Sequence, residues 1–135
     1  MIRTEDEFRQ TQEVLSKLQL SLDKQRAQNG ESKPGEMGYL IEQGLVEQIE
    51  ELKFQVDAFK ALESGTSVPL RSLADIGIIL AAARVVKKLT QAELAKMLHM
   101  RQQQIQRYEA EDYRGIAIER MARVVDALGI AFHRL

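Results

Sequence analysis

The chain has 135 residues, 44% hydrophobic and 29% charged, with a formal net charge of −1. That is ordinary globular composition, sized for one domain or two small ones. There is no cysteine, which excludes disulfides and thiolate metal sites. No apolar run reaches the ~18 residues of a membrane span, and the opening "MIRTEDEFRQ" holds no apolar signal core, so no membrane contact and a cytoplasmic location are expected.

The charge is unevenly placed. Residues 1–65 hold 8 Lys/Arg against 13 Asp/Glu, a net of −5, whereas residues 66–135 hold 11 against 7, a net of +4. An acidic half joined to a basic half suggests two modules with different partners. Two solvated surfaces are the plain alternative. The stretches "NGESKPGEMG" (29–38) and "ESGTSVP" (63–69) combine glycine and proline with polar residues and read as loops. The second lies where the charge changes sign, so the expected domains are 1–65 and 66–135.

Helical periodicity fills the first domain. Residues 4–28 carry Phe8, Leu15, Leu18 and Leu22 at heptad-like spacing, and residues 38–62 carry Leu45, Ile49, Leu52, Val56 and Phe59 in alternating steps of four and three. That alternation belongs to a helix packed along another helix. Two such helices joined by a Gly/Pro loop form an antiparallel hairpin. A core reading of these stripes outweighs a cofactor pocket. A lone hairpin has a thin core and is expected to serve oligomerisation or partner binding.

In the second domain, Ile76, Ile79, Leu80 and Ala83 mark a helix near 72–87, with Ser72 as its N-cap. Thr90 with Glu93 three residues later is a capping box that opens another helix, inside which Leu94, Ala95 and Leu98 face inward. Residues 118–128 form a further helix with Met121, Val125 and Leu128 on one side and Gly129 as its stop. The tail "IAFHRL" alternates weakly, as a short strand would. The overall class is all-α: a helical hairpin followed by a four- to five-helix domain.

The informative stretch is "MRQQQIQRYE", 100–109. Helices at 91–98 and 101–109, joined by a tight turn, make a helix-turn-helix. Ile105 and Tyr108 anchor the second helix inward, which leaves Gln102, Gln103, Gln106 and Arg107 outside. Glutamine can pair with an adenine edge in the major groove, and arginine with a guanine edge. A merely solvated helix face is the alternative for the glutamine row.

These residues carry a resemblance. "LTQAELAKMLHMRQQQIQRYE" resembles the Xre family of helix-turn-helix DNA-binding domains, the type found in lambdoid phage repressors, over about residues 70–130. The resemblance implies that Gln102 and Gln103 read bases, with Gln106 and Arg107 beside them. It implies that Gln91, Arg101 and Arg114, with Tyr113, meet phosphates. Arg84 and Glu109 would form a buried ion pair tying the domain's first helix to the recognition helix. The family usually has glycine just before "LTQ" and in the turn between the motif helices; this chain has Lys88 and His99 there.

The implied function is sequence-specific binding of double-stranded DNA at a palindromic operator by a homodimer, as a transcriptional repressor. Against an enzyme, there is no nucleophile elbow, no phosphate loop and no metal-binding histidine pair, and His99 and His133 without cysteine make a poor metal set. No cofactor or metal is expected. The layout of an acidic helical segment followed by an Xre-type domain also resembles HigA-like antitoxins, which neutralise a ribonuclease toxin and repress their own operon. In that case residues 1–65 would hold a basic toxin.

Overall fold

The computed structural model describes residues 1–30, 33 and 35–135. They form two compact units, Glu5–Val56 and Met1–Thr4 with Asp57–Leu135. Among the described residues, no helix is long and apolar enough to cross a membrane.

The unit Glu5–Val56 contains α1 (Glu5–Asn29) and most of α2 (Met37–Ser64). Glu5, Asp6 and Glu7 occupy the first turn of α1, where the positive end of the helix dipole favours them. Gly30 follows at φ +55°, with its N–H on the Arg26 carbonyl, and the helix stops there. Of the Gly/Pro loop expected at 29–38, residues 31, 32 and 34 lie outside the described residues. The two helices run antiparallel. Arg26 Nε donates to Glu42 Oε1 at 2.9 Å, and Asn29 Nδ2 donates to the Gly38 carbonyl at 2.8 Å. Of the expected stripes, Leu22, Ile49 and Val56 are buried, whereas Phe8, Leu15, Leu18, Leu45 and Leu52 stay half-buried.

The other unit starts from the last turns of α2 and adds β1 (Val68–Leu70), α3 (Asp75–Val86), α4 (Gln91–Met97), α5 (Gln102–Ala110), α6 (Ile118–Leu128) and β2 (Phe132–Arg134). Its core holds Phe59, Leu62, Ile79, Leu80, Leu94, Ile105, Val124 and Leu128. The two short strands pair in parallel, with Val68 opposite Phe132 and Leu70 opposite Arg134, so all four intervening helices lie between the paired segments in sequence. The tail is thus a strand.

Three expectations change here. The stretch 63–69 contains the start of β1, and the compact units divide inside α2, between Val56 and Asp57. Residues 1–4 sit with the second unit, where Ile2 is buried and Arg3 lies 3.9 Å from Asp112. Ser72 does not cap α3 with its side chain. Instead Asp75 accepts hydrogen bonds from the backbone N–H groups of Arg71 (2.8 Å) and Ser72 (3.2 Å) and from the Arg71 guanidinium. A carboxylate inside the first turn satisfies several donors at once, which a hydroxyl cannot.

The helices α3 to α6 end alike. A residue one or two positions past each helix turns left-handed, and the next residue's N–H returns to a carbonyl five positions back: Leu89 to Arg84, Met100 to Ala95, Tyr113 to Tyr108 and Ile130 to Val125. This is the Schellman closure, which favours glycine at the left-handed position. Only the last of the four has it, in Gly129; the others place Lys88 (φ 59°), His99 (φ 55°) and Asp112 (φ 52°) there. The two positions where the family usually has glycine are therefore left-handed in this chain too, at a cost of roughly 1–2 kcal/mol per residue.

Candidate nucleic-acid interface

The site is built from the start of α4 and the exposed side of α5. The reciprocal hydrogen bonds of a capping box open α4: Glu93 N–H to Thr90 Oγ1 at 3.0 Å and Thr90 N–H to Glu93 Oε1 at 3.2 Å. Leu94, Ala95 and Leu98 are buried. After the His99 turn, Arg101 stands at the N-cap of α5 with an extended backbone. Its N–H donates to Gln104 Oε1 at 3.1 Å. The third glutamine of the row is therefore a helix cap, a role its three-residue spacing from Arg101 could have signalled.

On α5, Ile105, Tyr108 and Glu109 are buried, and Gln102, Gln103, Gln106, Arg107 and Arg101 are exposed. Gln102 and Gln106 share one helical row; Gln103 and Arg107 share the next. The second row, with Arg101 and Gln104, lines a shallow polar concavity of about 300 Å³. Arg114 is exposed on the loop that follows α5.

Behind this surface lies one buried polar cluster. Arg84 spans Glu109 with both arms, Nε to Oε2 at 2.6 Å and Nη2 to Oε1 at 2.8 Å, and its Nη1 reaches the Leu89 carbonyl at 2.7 Å. The Glu109 side chain is 3% exposed and that of Arg84 14%. Hydrogen bonding to Glu109 holds the Arg84 guanidinium above its ordinary pKa, against the opposing effect of burial. Gln91 Nε2 also donates to Glu109 Oε1, at 3.1 Å. One amide proton of Gln91 is thereby engaged inward, and its second remains for another acceptor. The α3–α5 pair and the start of α4 are thus joined through a single carboxylate.

Two arginines of α6 complete the frame, and sequence reasoning missed both. Arg120 donates to the Tyr108 hydroxyl at 2.6 Å, and Arg123 donates to the Leu98 carbonyl at 2.9 Å, at the end of α4. They stand one helical turn apart, so α6 holds both motif helices. That i, i+3 spacing was visible in "ERMAR", but its targets are distant in sequence.

Tyr113 requires a correction. Expected at a phosphate, it is 1% exposed, in a left-handed conformation, with its ring stacked on Tyr108 at 5.7 Å. Burial pushes its hydroxyl pKa upward, and among the described residues that hydroxyl has no hydrogen-bond partner. Space for the turn that carries it comes from Gly77: a Cβ there would stand 2.4 Å from the Asp112 carbonyl oxygen. Tyr113 is a core residue.

The helix-turn-helix family model matches residues 80–135. No curated protein and no solved structure matches the chain. Residues 80–135, which hold both motif helices, the buried ion pair and α6, belong to the Xre-type, lambda-repressor-like helix-turn-helix family of DNA-binding transcriptional regulators.

Proposed function

We propose that the chain is a sequence-specific transcriptional repressor that reads the major groove of double-stranded DNA with α5. The observation that carries this is the division of α5 itself. Ile105, Tyr108 and Glu109 fasten it inward, and Gln102, Gln103, Gln106 and Arg107 stand free of the core along its outer rows. Long amides at the start of such a helix suit adenine edges, and arginine suits guanine. Gln91, Arg101 and Arg114 flank that row and are assigned to phosphates, which fix register without reading sequence. A homodimer on a palindromic operator supplies two such helices at half-sites one turn apart. The work is binding rather than catalysis, in the cytoplasm, without cofactor or metal.

The test is a gel-shift titration on a duplex enriched by selection. Gln102→Ala and Gln103→Ala should each lose about 1–3 kcal/mol on the preferred site and flatten preference at one or two base pairs. Arg114→Ala should weaken all duplexes alike and lower the salt slope by about 1. Unchanged base preference in both glutamine variants, with folding intact, sinks the assignment.

A second reading is favoured by charge. The unit Glu5–Val56 holds 6 Lys/Arg and 11 Asp/Glu, a net of −5. In this reading the chain is an antitoxin whose acidic unit neutralises a basic ribonuclease while the other unit represses the shared operon. Co-expression with the adjacent reading frame decides it: a stable complex supports the antitoxin, and its absence leaves the plain repressor.

A further inference from the structure

The hairpin carries a feature that DNA binding does not use. Between α1 and α2, a groove of about 440 Å³ is lined by Val14, Leu18 and Leu52, with Glu47, Gln48 and Glu51 along the α2 side. Val14 is 47% exposed although it sits on a helix that packs against another, so the hairpin leaves part of its own seam uncovered. Gln55 Nε2 donates to Glu51 Oε1 at 3.3 Å on the α2 side of the groove.

We propose that this groove docks a basic amphipathic helix of a partner protein. The floor asks for apolar side chains at i, i+3 and i+4 spacing, and the Glu47/Glu51 edge asks for lysine or arginine beside them. The helix-in-groove geometry suits a site made by two parallel-sided helices. Charge selects the occupant. A second copy of this chain would meet the groove through a two-fold interface that sets the same patch against itself. That second copy brings the same net −5 to the encounter, so long-range charge opposes it. A cationic partner turns the same carboxylates into attraction and gains from the net −5 of the whole unit during encounter. The inference rests on the second reading only in giving Glu5–Val56 a protein partner. It adds the place and the chemistry of contact.

The test uses the full-length chain and a fluorescein-labelled peptide of repeated Leu-Lys-Lys-Leu, with the glutamate-for-lysine peptide as its opposite. Anisotropy should show the lysine peptide binding at least about tenfold more tightly, with the gap narrowing between about 0.05 M and about 0.3 M salt. Val14→Lys, and separately Glu47→Lys with Glu51→Lys, should each weaken that binding about tenfold while circular dichroism keeps the parent's helix signal. Asp23→Lys, an exposed charge change outside the groove, should stay within about twofold. Equal weakening by Asp23→Lys would reduce the effect to general charge and overturn the site. So would full-strength binding by the groove variants. A concentration-dependent dimer of the parent that Val14→Lys dissolves would give the groove to a second copy instead. Co-expression reads whether the unit holds any protein partner and the gel shift reads DNA, so a stable complex that the groove variants leave intact overturns the groove alone, whereas absence of any complex counts against the antitoxin reading.

Discussion

The two units use the same polar chemistry at different depths. In Glu5–Val56, Arg26 and Glu42 pair at 2.9 Å with the arginine 54% exposed, and Arg9 pairs with Asp6 in open solvent. In the other unit, Arg84 and Glu109 pair at 2.6 Å almost wholly out of water, and Asp75 is 6% exposed against Arg71. The apolar cores differ in the same sense. Only 4 of the 23 buried hydrophobic residues among those described lie in Glu5–Val56, so the hairpin has little interior in which a charge could matter. An ion pair's distance therefore says little about its energetic weight. Depth, and whether every buried polar atom has a partner, decide it.

The comparison breaks or holds first at Glu109. Its carboxylate accepts from Arg84 twice and from Gln91 once. Removing it strands a guanidinium at 14% exposure. Glu109→Ala should cost about 3–5 kcal/mol, the range for breaking a buried pair. Thermal melting measures this directly, and a midpoint equal to the parent's would show that depth does not set the weight. Operator affinity should fall along with stability, because Gln91 loses its inward anchor.

Asp75 tests a smaller version of the same rule and adds a pH signature. Burial pushes its carboxyl pKa up, but the hydrogen bonds from the Arg71 side chain and from the Arg71 and Ser72 backbone outweigh burial and hold it below the usual value. A pKa depressed in the folded state means that the unfolded chain binds the proton more readily. The stabilisation is therefore full above the unfolded pKa, near 4, and is lost as pH falls through the folded one. Asp75→Ala should cost about 1.5–3 kcal/mol near neutrality. The gap between variant and parent should close below about pH 4. Denaturant titrations at several pH values check both statements, and a gap independent of pH would remove the charge from the explanation.

Much of this was legible in the sequence, for identifiable reasons. The capping box at Thr90 and Glu93, the inward Ile105 and Tyr108 and the Gly129 stop are local patterns, and the structure has them as read. The Arg84–Glu109 contact spans 25 residues; it became visible only through the family resemblance. Asp75, Arg120 and Arg123 were missed because their partners are turns or helices packed against them, which no period reports. Pairing of Val68–Leu70 with Phe132–Arg134 was missed for the same reason: three-residue strands carry almost no signal, and the register is set by everything between them. Lys88 and His99 read as departures from the family, yet their backbones take the conformation glycine would have taken.

Tyr113 separates depth from partnership. It is as buried as Glu109, but its hydroxyl has no hydrogen-bond partner among the described residues. A buried hydroxyl without a partner carries a desolvation penalty that deleting the oxygen relieves. Tyr113→Phe keeps the ring on Tyr108 and should raise stability by up to about 1 kcal/mol. Operator affinity should stay at the parent's value, because the residue offers nothing to phosphate. A loss of DNA affinity in that variant, with the fold intact, would return Tyr113 to the interface and contradict its burial.

The smallest effect belongs to the hairpin. Hydrogen bonding from Arg26 holds the Glu42 carboxyl below its usual pKa, so this pair has the same sign of pH dependence as Asp75. What it lacks is depth: the arginine is 54% exposed, and water and salt can replace either partner. Holding two long side chains in one geometry also costs rotamer freedom, which offsets the attraction. Glu42→Gln retains one carbonyl acceptor for Arg26 and removes the charge, giving up only the longer 3.4 Å contact from Asn29. Its melting midpoint at about 0.15 M salt, where the Debye length is about 8 Å, should coincide with the parent's within error. A clear drop would mean that this pair is shielded from solvent despite its exposed arginine, and the contrast with Arg84–Glu109 would then no longer rest on depth.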